Sequence, residues 1–581
     1  MFETCVNAAF GQFARMNTPL TFSAIVTALS LGLAVSSQAA PVAKPAPKLV
    51  VVISIDQFSS SLFTQHRAEF TGGLARLSRE GIVYPNGYQS HAMTETCPGH
   101  STLLTGKHPN KTGIAANDWY EATLGKQVYC LGDDSVTLAH DAKGRAVSPK
   151  NMVATTYGDW LKAVSPTSRV FGVSGKDRGA ITLAGHKADG AFWMQPGFGF
   201  TTFVPPGETA EARLKPVAAF NARMMADLKK HPFVWDYARS PLDALGRGSA
   251  RRCKALEADY ETGGRKWRAA LPRPAPANEA DYLRDLGTSP YLDQVTLELA
   301  AELRDAYGLG DGPQVDVLAV SLSATDYIGH RYGTRGPEMC DQMVRLDERL
   351  GAFLDRIGKT KGEVLVVLTA DHGGADMPER LHDEGYDTGR VAARAWLAKL
   401  NATLRQDLSL SHDPLLAEGG INAISIVGPD KKALPAVEHM RIAAPALALI
   451  SRQPEVIEAF DVNTLLTLAP ERADVSPEEI SVRERMRRSV YPGRSGDIVI
   501  AFRPDLVPAS AGSSYVSGHG TPWDYDRRVP ILFWWKGGAP RERVLPLDTV
   551  DIAPTIAAVT GVKAPADVDG RCRPLGSGHD C

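Results

Sequence analysis

The amino-acid sequence predicts an α/β fold with a largely parallel central sheet. Short apolar runs rich in β-branched residues recur along the chain, and longer stretches with apolar residues at helical spacing lie between them. The chain has 581 residues, of which 44% are hydrophobic and 22% are charged, so it can bury a large core and lacks the composition of a disordered chain.

Each predicted strand is a short apolar run bounded by polar residues or glycine. The runs are Leu49 to Ile55, Val170 to Ser174, Val315 to Ser323, Val364 to Thr369 and Ile531 to Trp535. The clearest helices predicted between them are Tyr291 to Tyr307, which stops at glycines, and Val344 to Ile357. The stretches from about 188 to 285 and from about 375 to 490 are predicted to be insertions that decorate one large domain, residues 49–581.

The N-terminal segment, residues 1–39, is predicted to be a signal peptide. Its apolar run of 16 residues, Leu20 to Val35, is shorter than the roughly 20 residues of a membrane span, and small residues suit a cut after Ala39. Residues 40–48 are predicted to form a proline-rich tether. We therefore expect a periplasmic or secreted protein without a membrane span after cleavage. A buried helix or an uncleaved anchor is the alternative, and Met16 is an alternative start to Met1.

Charge and cysteine content narrow the classes of function. Sixty-four Lys and Arg against 66 Asp and Glu give a formal net charge of −2, so no broad basic surface for nucleic acid or anionic lipid is expected. Six cysteines follow the leader without CxxC spacing, which favours disulfides over a thiolate zinc site. Cys572 and Cys581 are close enough in sequence to clamp the C-terminal tail, and the other pairings stay open.

Aspartates follow three of the predicted strands. Asp56 and Asp371 come directly after the runs that begin at Leu49 and Val364, and Asp326 follows the run that begins at Val315. Because ligands of open α/β sheets bind beyond the carboxyl ends of the strands, we expect these three side chains to converge. Converging carboxylates repel one another unless cations lie between them.

Histidines accompany these aspartates. His330 lies four residues after Asp326, His372 directly follows Asp371, and His519 lies in a loop before the strand that begins at Ile531. Each of these residues alone is more often a helix cap or a chance neighbour than a ligand. Together they supply the mixed oxygen and nitrogen ligands that two zinc-like ions need, so the sequence predicts a bimetal site.

The candidate nucleophile is Thr96, in the segment MTETCPGHSTLLTG at 93–106. Pro98 suits the first turn of a helix that Gly106 can end, which places Thr96 at the helix N-terminus, where free amides and the dipole favour an alkoxide and a phosphate. A hydroxyl is a weak nucleophile at neutral pH, so Thr96 needs the metal site beside it. Without such a site, Thr96 would be a simple helix cap.

The order of these residues resembles the alkaline phosphatase superfamily over nearly all of the chain after the leader. The resemblance implies a three-layer α/β/α sandwich with a central, mostly parallel sheet. The Thr96 segment also fits the sulfatase signature, but with Thr96 in the nucleophile position and His100 in place of an arginine. A sulfatase that needs formylglycine is therefore disfavoured, and Cys97 is interpreted as structural.

A further pair of residues separates the branches of this superfamily. Thr96 with Asn117 is shared by the nucleotide pyrophosphatase/phosphodiesterases and by the threonine-type periplasmic alkaline phosphatases similar to PafA and PhoK. Lys176 and Arg178, just past the strand that begins at Val170, resemble the Lys-x-Arg pair of the monoesterases, which the diesterases lack. A phosphate monoester is a dianion that such a pair suits better than a diester monoanion. The alternative for this pair is a solvated surface turn.

The resemblance implies an exported alkaline phosphatase that hydrolyses small phosphate monoesters with two Zn²⁺ per chain through a phosphothreonine. Thr96 lies between the ions as nucleophile and ligand, and Asn117, Lys176 and Arg178 bind the other phosphoryl oxygens. The implied ligands are Asp326, His330 and His519 for one ion, and Asp56, Asp371 and His372 for the other. A phosphodiesterase on nucleotide or lipid substrates is the alternative. A binding protein without catalysis is disfavoured, because every expected ligand and the nucleophile are present.

Overall fold

The structure, a computed structural model, describes residues 46–238, 248–262, 265–274, 276–417, 419–472, 474–509, 515–576 and 581. The predicted signal peptide and residues 40–45 of the predicted tether lie outside these residues. Within the described ranges, no helix has both the length and the apolar character needed to cross a membrane.

The strands of the described residues, in chain order, are β1 (Leu49–Ile55), β2 (Ile82–Tyr88), β3 (Asp118–Glu121), β4 (Lys126–Tyr129), β5 (Thr137–Leu138), β6 (Val170–Ser174), β7 (Gly190–Gln195), β8 (Gly199–Thr201), β9 (Phe203–Val204), β10 (Ala258–Thr262), β11 (Arg265–Ala269), β12 (Asp316–Leu322), β13 (Val364–Thr369), β14 (Gly389–Ala392), β15 (Leu415–Leu416), β16 (Ala423–Ile426), β17 (Val456–Asp461), β18 (Ile498–Phe502), β19 (Leu506–Ala509), β20 (Arg528–Trp535), β21 (Arg541–Glu542) and β22 (Leu547–Asp548).

The α-helices of the same residues are α1 (Ser60–His66), α2 (Gly73–Glu80), α3 (Thr96–Thr105), α4 (Pro109–Thr112), α5 (Tyr157–Val164), α6 (Asp177–Ala184), α7 (Ala210–Lys230), α8 (Ser249–Lys254), α9 (Glu279–Gly287), α10 (Tyr291–Tyr307), α11 (Ala324–Tyr332), α12 (Pro337–Ile357), α13 (Pro378–Asp383), α14 (Ala393–Leu408), α15 (Ala436–Ile450), α16 (Val462–Thr467), α17 (Val482–Ser489), α18 (Asp524–Arg527) and α19 (Ile552–Val559). Short 3₁₀ turns occupy Arg67–Glu69, Pro149–Asn151 and Thr549–Asp551.

The central sheet has the strand order β21-β2-β20-β13-β1-β12-β6-β7-β8, with β22 also beside β2. The strands in its middle, from β13 through β1, β12 and β6 to β7, are parallel to their neighbours. Strand β20 is antiparallel to both β13 and β2, and β8 is antiparallel to β7. The predicted mostly parallel sheet is therefore confirmed, with antiparallel strands towards its edges.

Helices cover both faces of this sheet. Side chains of β1 alternate between two cores: Leu49, Val51 and Ile53 pack on the side of α2, α10 and α12, while Val50 and Val52 pack on the side of α3, α5 and α19. Every residue of β1 is buried, as expected for a parallel strand covered on both faces. The implied three-layer α/β/α sandwich is therefore confirmed.

Several predicted element bounds agree with the structure. Strands β1, β6 and β13 and helix α10 have the predicted ends, and β12 is one residue shorter at each end than predicted. The predicted strand at 531–535 begins earlier, at Arg528, and the predicted helix at 344–357 begins at Pro337. These starts are more polar than the apolar runs, so the apolar pattern alone places both starts too late.

The two stretches predicted as insertions have different positions in the fold. The stretch at 188–285 begins with β7 and β8, which extend the central sheet, and continues through α7 to α9. The stretch at 375–490 supplies β15, β16 and β17 to a separate four-stranded sheet, completed by β18. Helices α14 and α15 cover that sheet with a core of their own.

The six cysteines of the described residues form three pairs, Cys97 with Cys130, Cys253 with Cys340, and Cys572 with Cys581. The last pair closes the C-terminal tail as the sequence predicts. Cys97 is thereby a structural residue beside Thr96, which agrees with its interpretation from the sequence.

Helix α2 is fixed to α12 through a single buried carboxylate. Asp347 of α12 accepts hydrogen bonds from the backbone amides of Thr71, Gly72, Leu74 and Ala75, at 2.7, 2.7, 2.7 and 3.2 Å. These are the unpaired amides at and before the start of α2, so Asp347 caps that helix from a distance in sequence. A Cβ atom on Gly72 would lie 2.3 Å from the Asp347 carbonyl oxygen, so only glycine fits at this approach.

We expect Asp347→Ala to lower the free energy of unfolding by about 3 kcal/mol, because four backbone amides, two of them buried, lose a charged acceptor. Asp355→Ala is the matched control, since Asp355 lies on the same helix and bonds Arg76 of α2 at 2.6 Å, but its side chain is 67% exposed. An exposed pair of this kind contributes less than about 1 kcal/mol. Denaturant unfolding followed by circular dichroism measures both. Equal losses in the two variants would contradict the assigned role of Asp347.

Candidate active site

The three predicted aspartates meet at the carboxyl edge of the central sheet. Asp56 follows β1, Asp371 lies just past β13, and Asp326 lies in the first turn of α11, directly after β12. Because β13, β1 and β12 are parallel neighbours, their carboxyl ends bring these side chains together. All three aspartates are at most 2% exposed, so their charges have little access to water.

One ligand group consists of Asp326, His330 and His519. His330 Nε2 lies 3.2 Å from His519 Nε2 and 3.3 Å from Asp326 Oδ1, and His519 Nε2 lies 3.5 Å from the same carboxylate oxygen. The Asp326 and His330 pair is one helical turn apart on α11, which places both side chains on one face. His519 reaches them from the loop before α18.

A second ligand group consists of Asp56, Asp371 and His372. His372 Nε2 lies 3.5 Å from Asp56 Oδ1 and 3.4 Å from Asp371 Oδ2. His372 also lies within reach of Asp326 and His519, so the two groups adjoin at this residue. The sequence-predicted ligands are thus brought together in two neighbouring sets of three.

The orientation of the histidines fits a metal site. The Nδ1 atoms of His330, His372 and His519 lie 3.0, 2.8 and 2.7 Å from backbone carbonyl oxygens, so each ring presents Nε2 to the centre of the site. Second-sphere bonds of this kind fix the rings of metal-binding histidines. Asp56 Oδ1 and His372 Nε2 are buried and have no hydrogen-bond partner among the described residues. The donor atoms and their spacing therefore suit divalent cations such as zinc.

The electrostatics of the site favour bound positive charge. Burial raises the pKa of the Asp56 carboxyl well above its usual value, and the neighbouring Asp371 adds to this shift. Burial also lowers the pKa of His372 to about 3, so its imidazole is neutral at neutral pH. For His519, the carboxylate of Asp326 outweighs burial and raises the pKa to about 9. The shifts of Asp56 and His519 reduce the net negative charge of the site, whereas the neutral His372 keeps a nitrogen lone pair that can bind a cation.

Thr96 is the first residue of α3, where the sequence predicts it, and is 1% exposed. The helix ends at Gly106, whose φ of 66° is the left-handed conformation that glycine adopts without strain. The Thr96 hydroxyl oxygen is buried and has no hydrogen-bond partner among the described residues. A buried hydroxyl at a helix N-terminus, left without a protein partner, is suited to bind a ligand atom.

Asn117 lies beside the start of α3. Its side-chain oxygen accepts a hydrogen bond from the Cys97 amide at 2.8 Å, and its backbone amide donates to Glu95 Oε2 at 2.6 Å. Its side-chain NH₂ group is then the donor available to a ligand at Thr96. The pair Cys97 and Cys130 holds the same region covalently.

Lys176 lies between the two ligand groups. Its Nζ donates to Asp56 Oδ2 at 2.6 Å and to Asp326 Oδ2 at 2.5 Å, and lies 4.7 Å from the centre of the Tyr327 ring. Burial acts to lower the pKa of Lys176, but Asp326 and Asp56 outweigh it and hold the pKa above its usual value. The amine is therefore a cation inside the site. The alternative of a solvated surface turn is wrong for Lys176, which is 3% exposed.

Arg178 lies in the first turn of α6, two residues after Lys176. Its Nε is buried and lacks a hydrogen-bond partner among the described residues. Tyr129 and Asp177 lie near the guanidinium, and Tyr129 donates to Asp177 Oδ1 at 2.7 Å. This places a second cation at the same side of the site as Lys176.

Two further residues contact the predicted ligands, although the sequence does not predict a role for either of them. Gln57, with a left-handed φ of 64°, donates from its backbone amide to Asp371 Oδ1 at 3.2 Å and from its side chain to Asp326 Oδ1 at 3.1 Å. His100 lies with Nδ1 2.9 Å from Asp371 Oδ2 and Nε2 2.9 Å from Ser321 Oγ. A histidine one helical turn after Thr96 in the sequence is the signal that could have identified His100.

Comparison with known proteins agrees with this geometry. The family model of type I phosphodiesterase / nucleotide pyrophosphatase matches residues 50–522. The alkaline phosphatase PhoK of Sphingomonas sp is 37% identical over 550 residues, covering 93% of this chain and 93% of PhoK. The crystal structure of alkaline phosphatase PafA superposes with a TM-score of 0.77 at 28% identity, covering 91% of this chain and 99% of PafA.

A second crystal structure of PafA carries four substitutions, with a threonine replaced by serine and an asparagine, a lysine and an arginine replaced by alanine. It matches with a TM-score of 0.76 at 26% identity, and it covers 91% of this chain and 99% of that one. The family match spans most of the chain, and PhoK is a full-length relative. The chain therefore belongs to the type I phosphodiesterase / nucleotide pyrophosphatase family and is a phosphatase of the alkaline phosphatase superfamily.

Proposed function

We propose that this phosphatase hydrolyses phosphate monoesters with two zinc ions and Thr96 as nucleophile. The observation that carries the proposal is the buried, unpartnered Thr96 hydroxyl at the N-terminus of α3, beside two three-residue ligand groups and a lysine–arginine pair. A transferred phosphoryl group needs these elements together, namely an activated nucleophile and preorganised positive charge.

The zinc ligands proposed are those that the sequence predicts. Asp326, His330 and His519 would hold one ion, Asp56, Asp371 and His372 would hold the other, and Thr96 would serve as a further ligand. When bound, the ions supply Lewis acidity that lowers the pKa of a coordinated hydroxyl or water and stabilises charge on the ester oxygens. The neutral His372 imidazole and the inward Nε2 atoms of the three histidines support this assignment.

The chain's own residues act on the phosphoryl group in two steps. Thr96 Oγ attacks phosphorus and gives up its proton, the P–O bond to the alcohol breaks, and the alcohol leaves with one proton, which gives a phosphothreonine. Water then attacks phosphorus, the bond to Thr96 Oγ breaks, and one proton of the water returns to Thr96 Oγ as phosphate is released. The Asn117 NH₂ group, Lys176 and Arg178 orient the oxygens that do not react.

The lysine–arginine pair supports monoesters over diesters. A monoester carries two negative charges on its free oxygens and a diester one, so two cations next to Thr96 stabilise the monoester more. The substituted residues of the PafA mutant support the same assignment. Its threonine and asparagine are 21 residues apart, as are Thr96 and Asn117, and its lysine and arginine are two apart, as are Lys176 and Arg178.

A phosphodiesterase or nucleotide pyrophosphatase is the second candidate function, and the name of the matching family model favours it. Both reactions use the same nucleophile and metal ligands. They differ in how much negative charge the residues around the transferred group must meet.

We also propose that the protein is exported and that residues 49–581 form one catalytic domain. Three cysteine pairs support an oxidising compartment, since disulfides persist there. The helices packed on both faces of the central sheet come from chain segments spread between Ser60 and Val559, which supports a single domain.

Removal of metal should abolish turnover of p-nitrophenyl phosphate, because Thr96 then lacks the charge that activates its hydroxyl. Added zinc should restore turnover, and elemental analysis of active protein should find about two zincs per chain. Circular dichroism of the metal-free protein is the control for folding. Full activity after complete removal of metal would overturn the mechanism.

Thr96→Ala should lower turnover by several orders of magnitude, because the attacking hydroxyl is lost, whereas Thr96→Ser should keep much of it. Thr105→Ala, at the other end of α3, is the matched control, since its hydroxyl bonds only within and just past the helix. Acid trapping followed by mass spectrometry should place phosphate on the peptide that contains Thr96. Phosphate on another peptide would refute the assignment.

Lys176→Ala with Arg178→Ala should slow monoester hydrolysis by about two orders of magnitude or more and diester hydrolysis much less. Each charged hydrogen bond contributes roughly 1.5 to 3 kcal/mol, and about 1.4 kcal/mol corresponds to a factor of ten. Rates on p-nitrophenyl phosphate and bis-p-nitrophenyl phosphate measure both classes.

Two controls make this comparison specific. Because Lys176 contacts Asp56 and Asp326, the zinc content of the double variant is measured. Arg178→Ala alone tests a cation that, among the described residues, makes no hydrogen bond to the ligands and acts on Asp56 only through its charge. Asn117→Ala should slow both ester classes more evenly, since a neutral donor serves either. Equal losses of both activities in the double variant would favour the phosphodiesterase.

A further inference from the structure

A large cavity opens beside the residues proposed to bind the phosphoryl group. Its volume is about 1010 Å³, and Lys176 and Arg178 form part of its wall. This volume is at the upper end of small-molecule sites, which span about 300 to 1,000 Å³, and far exceeds the space that a phosphate group needs. The cavity therefore has room for the organic part of an ester.

Apolar side chains line much of the rest of the cavity wall. Those that belong to the stretch at 188–285 include Trp193, Met194, Met225, Leu228 and Leu283. Met194 and Met225 pack against the main hydrophobic core behind them, which holds this wall in place. Methionine and leucine side chains bind apolar groups of varied shape.

The other arginines of the cavity are neutralised by protein partners. Arg331 donates to Asp285 Oδ1 at 2.7 Å and to Thr288 Oγ1 at 2.8 Å, and Arg284 bonds Asp281 at 2.5 Å. They therefore do not form a second anion site. Apart from Lys176 and Arg178, the cavity therefore presents apolar side chains to a ligand more than it presents unpaired cations.

The cavity also borders the Asp326, His330 and His519 group. Tyr327, directly after Asp326, lines it, and so does Tyr515, whose ring stacks on His330 with centroids 4.7 Å apart and planes at 16°. A monoester held at Thr96 and Lys176 carries its one organic substituent on a single oxygen. The cavity adjoins this position through Lys176 and Tyr327, and it is large enough to take that substituent.

We propose that this cavity binds the alcohol portion of the substrate, and that the enzyme prefers phosphate monoesters of apolar alcohols, aliphatic or aromatic. The inference rests on the proposed monoesterase function and adds the class of leaving group. Burial of apolar substrate surface against Met225, Leu283 and Trp193 supplies the preference.

The test uses a series of n-alkyl phosphates, from ethyl to hexyl phosphate, on the zinc-loaded enzyme. Their leaving groups have nearly the same acidity, so differences in kcat/KM report contact with the alkyl chain. We expect kcat/KM to rise by about two- to fourfold per methylene until the cavity is filled. Butyl phosphate should exceed glycerol 1-phosphate, and 2-phenylethyl phosphate compared with hexyl phosphate distinguishes an aromatic from an aliphatic preference.

Met225→Trp tests the wall directly, because it fills part of the cavity. The matched control is Ala226→Trp, since Ala226 is the next residue on α7, is exposed and does not line the cavity. We expect Met225→Trp to lower the hexyl to ethyl ratio of kcat/KM at least about fivefold. The control should keep the parent ratio.

A second measurement on the parent enzyme covers the case in which Met225→Trp fails to fold. Hexylphosphonate should inhibit hydrolysis of ethyl phosphate at least about tenfold more strongly than methylphosphonate. Equal rates for ethyl and hexyl phosphate, or equal inhibition by the two phosphonates, would overturn the cavity assignment alone. Failure to hydrolyse any of these monoesters would instead overturn the proposed function on which it rests.

Discussion

The arrangement of the active site depends on three buried carboxylates. Asp56, Asp326 and Asp371 lie at one edge of the central sheet, each at most 2% exposed. Buried like charges are costly unless opposite charge and hydrogen bonds compensate them. Lys176 between two of them, the inward histidines and the amide of Gln57 all supply that compensation. Burial and the neighbouring Asp371 raise the pKa of the Asp56 carboxyl well above its usual value, so a cation beside it would stabilise its charged form.

The parallel sheet fixes the positions of these charged side chains relative to one another. Neighbouring strands β13, β1 and β12 end at the same edge, so residues far apart in sequence approach within a few ångströms. A second set of contacts then fixes their orientation. Backbone carbonyls hold the three histidine rings, and His100 links helix α3 to Asp371 and to Ser321 of β12. Thr96 is consequently fixed by the same contacts that fix the ligands.

The sequence predicts the parts of the fold that rest on continuous apolar runs. The bounds of β1, β6 and β13 follow from such runs, because strands buried on both faces admit few polar residues. The same runs predict the positions of Asp56 and Asp371, because each aspartate comes where an apolar run ends, and these ends lie at the edge of the sheet. The four-stranded sheet around β18 is not predicted, since β15 has only two residues and β17 carries Glu458 and Asp461, so the partners of the apolar β18 give a weak strand pattern. Asp347 accepts hydrogen bonds from backbone amides of residues distant in sequence, and Gln57 donates its own backbone amide to Asp371. Their residue types alone carry no sign of these contacts.

The residues that react and the apolar residues that line the cavity belong largely to different segments of the chain. The reacting groups belong to the ends of the sheet strands and to α3, whereas Met225 and Leu283 belong to the stretch at 188–285, on α7 and α9 outside the central sheet. Changes in that stretch can alter the shape of the cavity while the strand ends that carry the metal ligands stay in place. A chain with this sheet edge could therefore be redirected by design to new alcohols, since the chemistry and the choice of ester reside on different segments.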